Sequence, residues 1–340
     1  MKLLLVGSNN KWAIERYYIK YLREINDVEI YHFTAPDIVY DFYAKNIINK
    51  ILFKLKLITK YKEVNKQLLA ISQEFKPDVI WIFKGMEIYP ETISKLKNNS
   101  RLVNYNPDNP FIFTGAGSGN KNVTKSIGLY DLHFTYSREI ERELLSSYPA
   151  CKVAYLPFGY DLNGYTPEKN VEEILSACFI GNPDKERAKI INQLNDAGIS
   201  LHIYGHNWSK YVSSKKNTLH SAVVGDAFWR NMQQYRVQLN IMRIHNLNSH
   251  NMRTFEIATV GGIQLIPRTI EHKEFYIENE EAFFYDNIED LANKIKYILK
   301  LPQNDISRIR ESSKKRALNS GYSYMDRSKF VFEKFDNINK

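Results

Sequence analysis

Short apolar runs that stop at a turn residue recur along this chain, and segments of helical periodicity fill the gaps between them. Lys2–Val6 enters a loop at Gly7, Val28–Phe33 follows, and Val79–Phe83 comes just after Pro77. Arg101–Tyr105, Asp131–Thr135 and Val153–Leu156 continue the series. Between the first two runs, Asn10–Leu22 reads as a helix with Ile14, Tyr17, Tyr18, Tyr21 and Leu22 on one side. Glu91–Leu96 is a further helical segment. Strands alternating with helices at this spacing predict a parallel, doubly wound α/β sheet.

The pattern restarts in the second half. Ala177–Ile180 ends at Gly181, and a helix over Lys185–Ala197 leads to the strand Ser200–Tyr204, which ends at Gly205. A helix over Ala227–Tyr235 precedes the strand Val237–Met242. Strands at Ile263–Ile266 and Glu281–Phe284 and a helix over Ile288–Leu299 follow. The polar stretch Gly159–Ile174, with Gly164 and Pro167, separates the halves. The expected organisation is a domain over 1–160, a linker over 161–174 and a domain over 175–322. The segment 323–340 would pack its helix, about Met325–Phe335, back on the first domain. Doubly wound domains bind ligands outside the carboxyl ends of their strands. Two of them facing a central cleft would give a donor side and an acceptor side.

The most chemically informative stretch is Asn248-Ser-His-Asn-Met-Arg-Thr-Phe-Glu-Ile-Ala-Thr-Val-Gly-Gly262. Asn251 or Ser249 is suited to cap a helix that starts here. The open N–H groups of Asn251, Met252 and Arg253 and the helix dipole suit a phosphate. Glu256, one turn in, can reach a ribose hydroxyl. Arg253 can neutralise a phosphate or pair with Glu256 three residues on. Gly261 and Gly262 end the helix where positive φ or close approach is needed. His250 and Asn248 complete the loop, His250 as a candidate catalytic residue beside Asp108 and Asn248 as a donor contact.

The other loops that follow strands supply further candidates. Gly181 permits a tight turn, and Lys185 or Arg187 can meet a diphosphate or face solvent at an ordinary helix start. After the next strand, Tyr204, Gly205, His206 and Trp208 offer a close approach and aromatic or imidazole stacking for a base, or a surface turn. In the first half, Asp108 sits in Asn104-Tyr-Asn-Pro-Asp-Asn-Pro-Phe111. There it can activate an acceptor hydroxyl as a general base, or close its own Asx turn. Gly115-Ala-Gly-Ser-Gly119 beside it suits a mobile lid. It is no phosphate-binding P-loop, because no Gly-Lys-Ser/Thr follows in register. No G-x-G-x-x-G follows the first strand, which argues against a dinucleotide enzyme.

Composition narrows the partners. The net charge is +9, from 47 Lys+Arg against 38 Asp+Glu, which favours phosphates, anionic membrane lipids or nucleic acid. A nucleic-acid binder is not expected, for no basic helix interleaved with aromatics and no recognisable module is present. The 23 tyrosines suit carbohydrate or interface surfaces. Ala44, Ile47, Ile48, Ile51, Leu55 and Ile58 share a face at helical spacing, while Lys45, Lys50, Lys56 and Lys60 point mostly elsewhere. That helix either lies on an anionic membrane or packs in the core with solvated lysines. No apolar run reaches the ~18 residues that span a bilayer. The apolar stretch of the first residues is too short for a signal peptide. Cys151 and Cys178 have no metal-ligand spacing and form no disulfide framework. The expected location is cytoplasmic, with peripheral contact at the inner face of the membrane as one option.

Several of these pieces together resemble the CgeB-like group of GT-B glycosyltransferases, within the set that carries an E-x7-E element. The supporting segments are Lys84-Gly-Met-Glu-Ile-Tyr-Pro-Glu91, Pro107-Asp-Asn-Pro110, Tyr130-Asp-Leu-His-Phe-Thr135 and Tyr155-Leu-Pro-Phe-Gly-Tyr-Asp161. Phe179-Ile-Gly181 and Asn251-Met-Arg-Thr-Phe-Glu256 extend the series. The resemblance implies GT-B architecture, with two Rossmann-like domains facing a central cleft. The second would hold a nucleotide-diphosphate sugar, the first would hold the acceptor, and no metal or other cofactor is expected. It gives Glu256 the ribose-binding role of the second acid, while the first acid's position carries Asn248. The expected activity is transfer of a sugar to a glycan or lipid-linked acceptor in cell-surface polysaccharide synthesis. Asn248 motivates the alternative of a non-catalytic GT-B-like binding partner in a glycan assembly complex.

Overall fold

A computed structural model describes residues 1–25, 28–54, 59–113, 117–169 and 171–339. They form two compact units, one made of Met1–Pro157 with Tyr324–Lys340 and the other of Phe158–Ser323. Every strand pairing named below is parallel.

The first unit begins with β1 (Lys2–Val6), α1 (Glu15–Glu24), β2 (Glu29–Phe33), α2 (Ala35–Ala44), α3 (Ile47–Lys54) and α4 (Lys60–Phe75). It continues with β3 (Val79–Phe83), α5 (Pro90–Leu96), β4 (Arg101–Asn106), α6 (Lys121–Ser126), β5 (Leu132–Thr135), α7 (Arg138–Ser147) and β6 (Lys152–Tyr155). The strand order is β2-β1-β3-β4-β5-β6, so the direction of winding reverses between β1 and β3. Leu4, Val6, Ile80 and Ile82 bury one face against Val64 and Leu68 of α4. Aromatic residues fill another part of the core, where the Trp81 ring lies 5.0 Å from Tyr18 and 5.3 Å from Phe335. Tyr17 stacks on Tyr324 at 4.6 Å, so α14 (Tyr324–Asn339), the last helix of the chain, packs against α1 in this unit. Many of the tyrosines expected at ligand surfaces therefore lie elsewhere: Tyr18, Tyr105, Tyr136 and Tyr324 are fully buried.

The second unit begins with β7 (Ile174–Ile180), α8 (Lys185–Asp196), β8 (Leu201–Tyr204), β9 (Thr218–His220), α9 (Asp226–Gln234) and β10 (Tyr235–Leu239). It ends with α10 (Met252–Thr259), β11 (Gln264–Pro267), α11 (Ile270–Phe275), β12 (Phe283–Tyr285), α12 (Ile288–Lys300) and α13 (Gln303–Asn319). The order β9-β8-β7-β10-β11-β12 is the Rossmann order, and the winding reverses between β7 and β10. Alternate residues of β7 enter two different cores. Ala177 and Phe179 pack with Ile191, Leu194, Leu291 and Ile295, while Cys178 and Ile180 pack with Trp229, Met232 and Ile257. A strand buried on both faces reads as a continuous apolar run, which is why these strands were visible in the sequence.

Element bounds shift from the expected ones where the backbone decides them. The helix expected from Asn10 starts at Glu15, because Asn10–Ala13 form turns: the Asn10 side chain accepts the Trp12 N–H at 2.9 Å. The single amphipathic helix expected over 44–58 is instead α2, a break at Lys45–Asn46, and α3; Leu55, Lys56 and Ile58 lie outside the described residues. Residues 161–174, expected as a linker, fall within the second unit, where Tyr165 stacks on Trp229 with ring centroids 6.3 Å apart (position 170 lies outside the described residues).

A partly buried ionic knot ties the start of β7 to α13. Glu173 accepts from Arg236 at 2.5 Å and 2.8 Å with one oxygen and from Arg310 at 2.9 Å with the other. Arg310 also donates to the carbonyls of Gly261 and Tyr235. Removing Glu173 leaves the buried Arg236 guanidinium without its counterion, which costs more than an exposed pair gains. Glu173→Ala is expected to lower the unfolding free energy by about 3 kcal/mol in urea titrations. Asp196→Ala, which breaks the exposed Lys216 pair, should change it by less than about 0.5 kcal/mol.

Candidate functional site

The reversal between β7 and β10 leaves the carboxyl ends of both strands open, and the candidate residues of the second unit converge there. The hub is Ile180-Gly181-Asn182. Arg253 donates to the Ile180 carbonyl at 3.3 Å, Trp208 Nε1–H to the Gly181 carbonyl at 2.8 Å, and Arg187 to the Asn182 carbonyl at 3.1 Å. The Asn182 side chain accepts the His206 N–H at 3.2 Å. Arg187 also donates to the carbonyl of Ile241, beyond β10, at 3.0 Å and so joins the two strand ends. Gly205 is required by close approach, since a Cβ there would lie 2.3 Å from the Gly181 carbonyl oxygen.

The start of α10 is fixed from both sides. Asn251 accepts the Thr254 N–H and Thr254 Oγ1 accepts the Asn251 N–H, a reciprocal cap. Asn240, one residue past β10, exchanges amide hydrogen bonds of 2.8 Å and 3.1 Å with Asn251. His272 holds Thr254 Oγ1 at 3.1 Å; burial pushes its imidazole down to about 4, so it is neutral at physiological pH. Gly261 ends the helix region at φ +74°, and a Cβ at Gly262 would lie 2.6 Å from the Met232 carbonyl oxygen. Met252 takes the first helical position and is partly buried.

The local charge is positive. Burial lowers the pKa of Arg187 to about 10, and the neighbouring charges of Arg243 and Arg253 push in the same direction against Asp184. Asp184 caps α8 by accepting the Arg187 N–H at 2.9 Å and lies 3.7 Å and 4.0 Å from the Nε atoms of Arg187 and Arg243. Arg253 lies over the Phe228 ring and pairs with Glu256, which is buried. The i,i+3 pairing weighed in the sequence is thus formed.

Some expected site residues are placed differently. His250 is fully buried: Nε2 accepts the Phe158 N–H at 3.1 Å, and Nδ1 lies 2.5 Å from Glu271 Oε2. Ser249 also donates to that Glu271 oxygen at 2.6 Å. A His250 with both ring nitrogens engaged positions the loop before α10 and is not arranged to touch a reacting group. Trp208 is buried in the core with its N–H committed to Gly181, so it does not offer an exposed ring for stacking. Tyr204 turns its hydroxyl to Tyr235 at 2.8 Å, and its ring stacks on His220 at 4.2 Å. Asn248 lies in the exposed turn before α10, and Lys185 starts α8 on the exposed side.

In the first unit, the Asx acceptor is Asn106 and not Asp108 as expected: Asn106 Oδ1 accepts the Asp108 N–H at 3.0 Å. The Asp108 carboxylate is held by Lys84 at 2.5 Å. Lys84 follows β3 at φ +58°, a conformation unusual for a side-chain-bearing residue, and also donates to the Gly117 carbonyl. Gly115 and Ala116 of the expected lid lie outside the described residues. The acid that sequence reading missed is Glu15, at the first position of α1, where Oε1 accepts the Ser8 N–H at 2.9 Å. Burial raises its carboxyl to about 7 against the opposing pull of hydrogen bonds and Lys84, with Asp37 adding to the rise. Asp37 accepts from Ser8 Oγ at 2.5 Å and from the Asn9 N–H at 2.6 Å. Burial also raises Glu87. Only the three-dimensional structure brings these acids to the carboxyl ends of β1 and β3. Among the described residues no group of three His, Cys, Asp or Glu side chains is placed to hold a metal ion.

A family model described as glycosyl transferase-like matches residues 186–333, from the first turn of α8 into α14. No curated protein matches the sequence. Sucrose-phosphate synthase from Thermosynechococcus elongatus superposes with a TM-score of 0.72 at 10% identity, over 99% of this chain and 99% of that one. Anabaena HepE, solved in complex with UDP, gives 0.66 at 13% identity, over 99% and 100%. A mutant of S. aureus TarM, in complex with fondaparinux, alpha-GlcNAc-glycerol and UDP, gives 0.59 at 11% identity. That match covers 82% of this chain and 59% of TarM, so the chain spans less than two thirds of that structure's length. These likenesses show the fold, the α/β GT-B architecture with two parallel six-stranded sheets.

Two outcomes follow from the local geometry. Gly205→Ala should lower the melting temperature by several degrees, equivalent to about 2 kcal/mol, because the new methyl collides with backbone rather than with a movable side chain. Glu15 is an acid whose folded pKa is raised, so its contribution to stability is full below about 4.5 and is lost as pH rises through about 7. Glu15→Gln keeps an acceptor for Ser8 N–H and carries no charge. It should be more stable than wild type at pH 8, by on the order of 2–3 kcal/mol, with the advantage gone at pH 4. Denaturation curves at both pH values read this directly.

Proposed function

We propose that this chain is a glycosyltransferase that uses a nucleotide-diphosphate sugar, bound by its second unit, to glycosylate a glycan or lipid-linked acceptor in cell-surface polysaccharide synthesis. The observation that carries the reading is the convergence of Arg187, Arg253 and the capped start of α10 on the carboxyl ends of β7 and β10. A parallel sheet binds its ligand where the strand order reverses. Oriented N–H groups and two guanidinium groups at that point suit a diphosphate. The glycosyl transferase-like match over 186–333 supports the same reading.

In this mechanism the bond between the anomeric carbon and the diphosphate breaks, and negative charge builds on the departing oxygen. Arg253 and the α10 N-terminus are fixed before the ligand arrives, so they stabilise that charge without reorganising. Glu256, at present held by Arg253, receives a ribose hydroxyl with its carboxylate. Gly181, Gly205 and His206 let the base approach the backbone. With the leaving group met by cations of the chain, no metal enters the scheme. If the reaction inverts configuration, a base must take the acceptor's proton. Asp108, held by Lys84 at the carboxyl end of β4, is the candidate base, with Glu15 a neighbouring buried acid behind Ser8.

The test is calorimetric titration with UDP, GDP, ADP and CDP, followed by turnover of the matching nucleotide sugars in the presence of EDTA. One nucleotide should bind. Arg253→Ala should weaken it by about tenfold or more, ~1.4 kcal/mol, and Glu256→Ala should reduce both affinity and turnover. If no nucleoside diphosphate binds, or both variants bind like wild type, the donor site is misassigned. Binding without turnover of any nucleotide sugar would favour the non-catalytic partner.

A further inference from the structure

The isoleucines of α3 face solvent. Ile47, Ile48 and Ile51 are 69%, 63% and 51% exposed, and Tyr40 on the preceding helix is 65% exposed. Core attachment comes from other residues of the segment: Phe53 packs partly into the first unit's core, against Tyr43 and Tyr61, and Asn49 donates to the Phe42 carbonyl. The described isoleucines of the face that the sequence left open between core and membrane are therefore not in the core. Apolar side chains arranged this way on a short helix mark an interaction surface when they cluster.

Charge identifies the partner. Between Asp41 and Glu63 the chain carries Lys45, Lys50, Lys54, Lys56, Lys60 and Lys62 and no acidic residue. Lys45 is exposed, and the Lys50 ammonium lies over the Tyr43 ring, 5.7 Å from its centre. A protein surface that mates with isoleucines can be neutral. One that mates with isoleucines flanked by Lys45 and Lys50, in a stretch whose next acid, Glu63, is already paired with Lys60, must be anionic as well as apolar within a few ångströms. The headgroup boundary of an anionic bilayer has both properties. No helix among the described residues is long and apolar enough to cross a membrane, so attachment by this helix is peripheral.

We propose that α3 docks the first unit on an anionic lipid surface, with Ile47, Ile48 and Ile51 inserted at the headgroup boundary and Lys45 and Lys50 against lipid phosphates. The proposal rests on α3 and is independent of the donor site. Its test is flotation of the full chain with vesicles of phosphatidylcholine alone and of equimolar phosphatidylcholine and phosphatidylglycerol. The chain should float with the anionic vesicles, not with the neutral ones, and less at high salt. The pair Ile47→Ser with Ile51→Ser, and separately Lys45→Glu with Lys50→Glu, should lower the partition by ~10-fold or more. Both should leave the melting temperature unchanged, since the altered side chains are exposed or partly so. Absence of flotation for the wild type, or variants that float equally well, overturns the proposal. A concentration-dependent dimer abolished by the isoleucine substitutions, without vesicle binding, overturns it in favour of a second copy. Because nucleotide titration does not involve this face, an intact donor site with no flotation would refute the docking alone.

Discussion

The structure of the second unit turns on how the ends of β7 and β10 are held where the sheet reverses its winding. Two parallel strands that diverge at their carboxyl ends present carbonyls that no neighbouring strand can satisfy. Arg187 and Arg253 satisfy those of Ile180, Asn182 and Ile241 with charged donors, and the Trp208 indole takes that of Gly181. Each of these bonds replaces water with a rigid partner, so the loop after β7 is fixed at the spot where a ligand would lie. The cost is electrostatic. Burial lowers the pKa of Arg187, and Arg243 and Arg253 add to the fall, with Asp184 and Glu256 as partial counterions. A site that gathers more cations than it neutralises is stabilised by an arriving anion, and a diphosphate has the charge and the spread of oxygens to relieve it.

The same arrangement explains why α10 begins where it does. Its cap is not a single side chain but an amide pair, Asn240 with Asn251, that spans from the end of β10 to the start of the helix. His272, kept neutral by burial, supports the cap from α11 through Thr254. His250 supports the preceding loop through Glu271 and the Phe158 backbone. Three layers of hydrogen bonding thus stand behind the exposed N–H groups, which is the condition for those groups to act on developing charge rather than relax around it.

The alternation of strands and helices was legible because both faces of each sheet are covered, which leaves runs such as Ile80–Phe83 and Cys178–Ile180 apolar without interruption. The α10 cap and its closing glycines were legible because Asn and Gly have few other reasons to sit there. His250 was misread, since a histidine between Ser and Asn in a polar loop looks accessible. Only the fold shows Glu271, remote in sequence, turned toward it. Trp208 was misread for the opposite reason, because its turn lies at the surface while its ring points into the core. Glu15 was overlooked because burial, not sequence context, gives it an unusual acidity. The exposed face of α3 was undecidable from periodicity, which reports that one side is apolar and not which way that side points.

Taken separately, the two units use the same topological device with opposite charge. At the reversal in the second unit, Arg187 and Arg253 hold backbone carbonyls and Arg243 stands 4.0 Å from Asp184. At the reversal in the first, between β1 and β3, Glu15, Asp37, Glu87 and Asp108 gather around one lysine. Lys84 holds Asp108 and pulls on Glu15 and Glu87 without neutralising all of them, which leaves at least one acid able to give and take a proton near pH 7. The reversal points of the two units thus differ in charge, with arginines at the end of β7 and acids around Lys84 at the ends of β1 and β3.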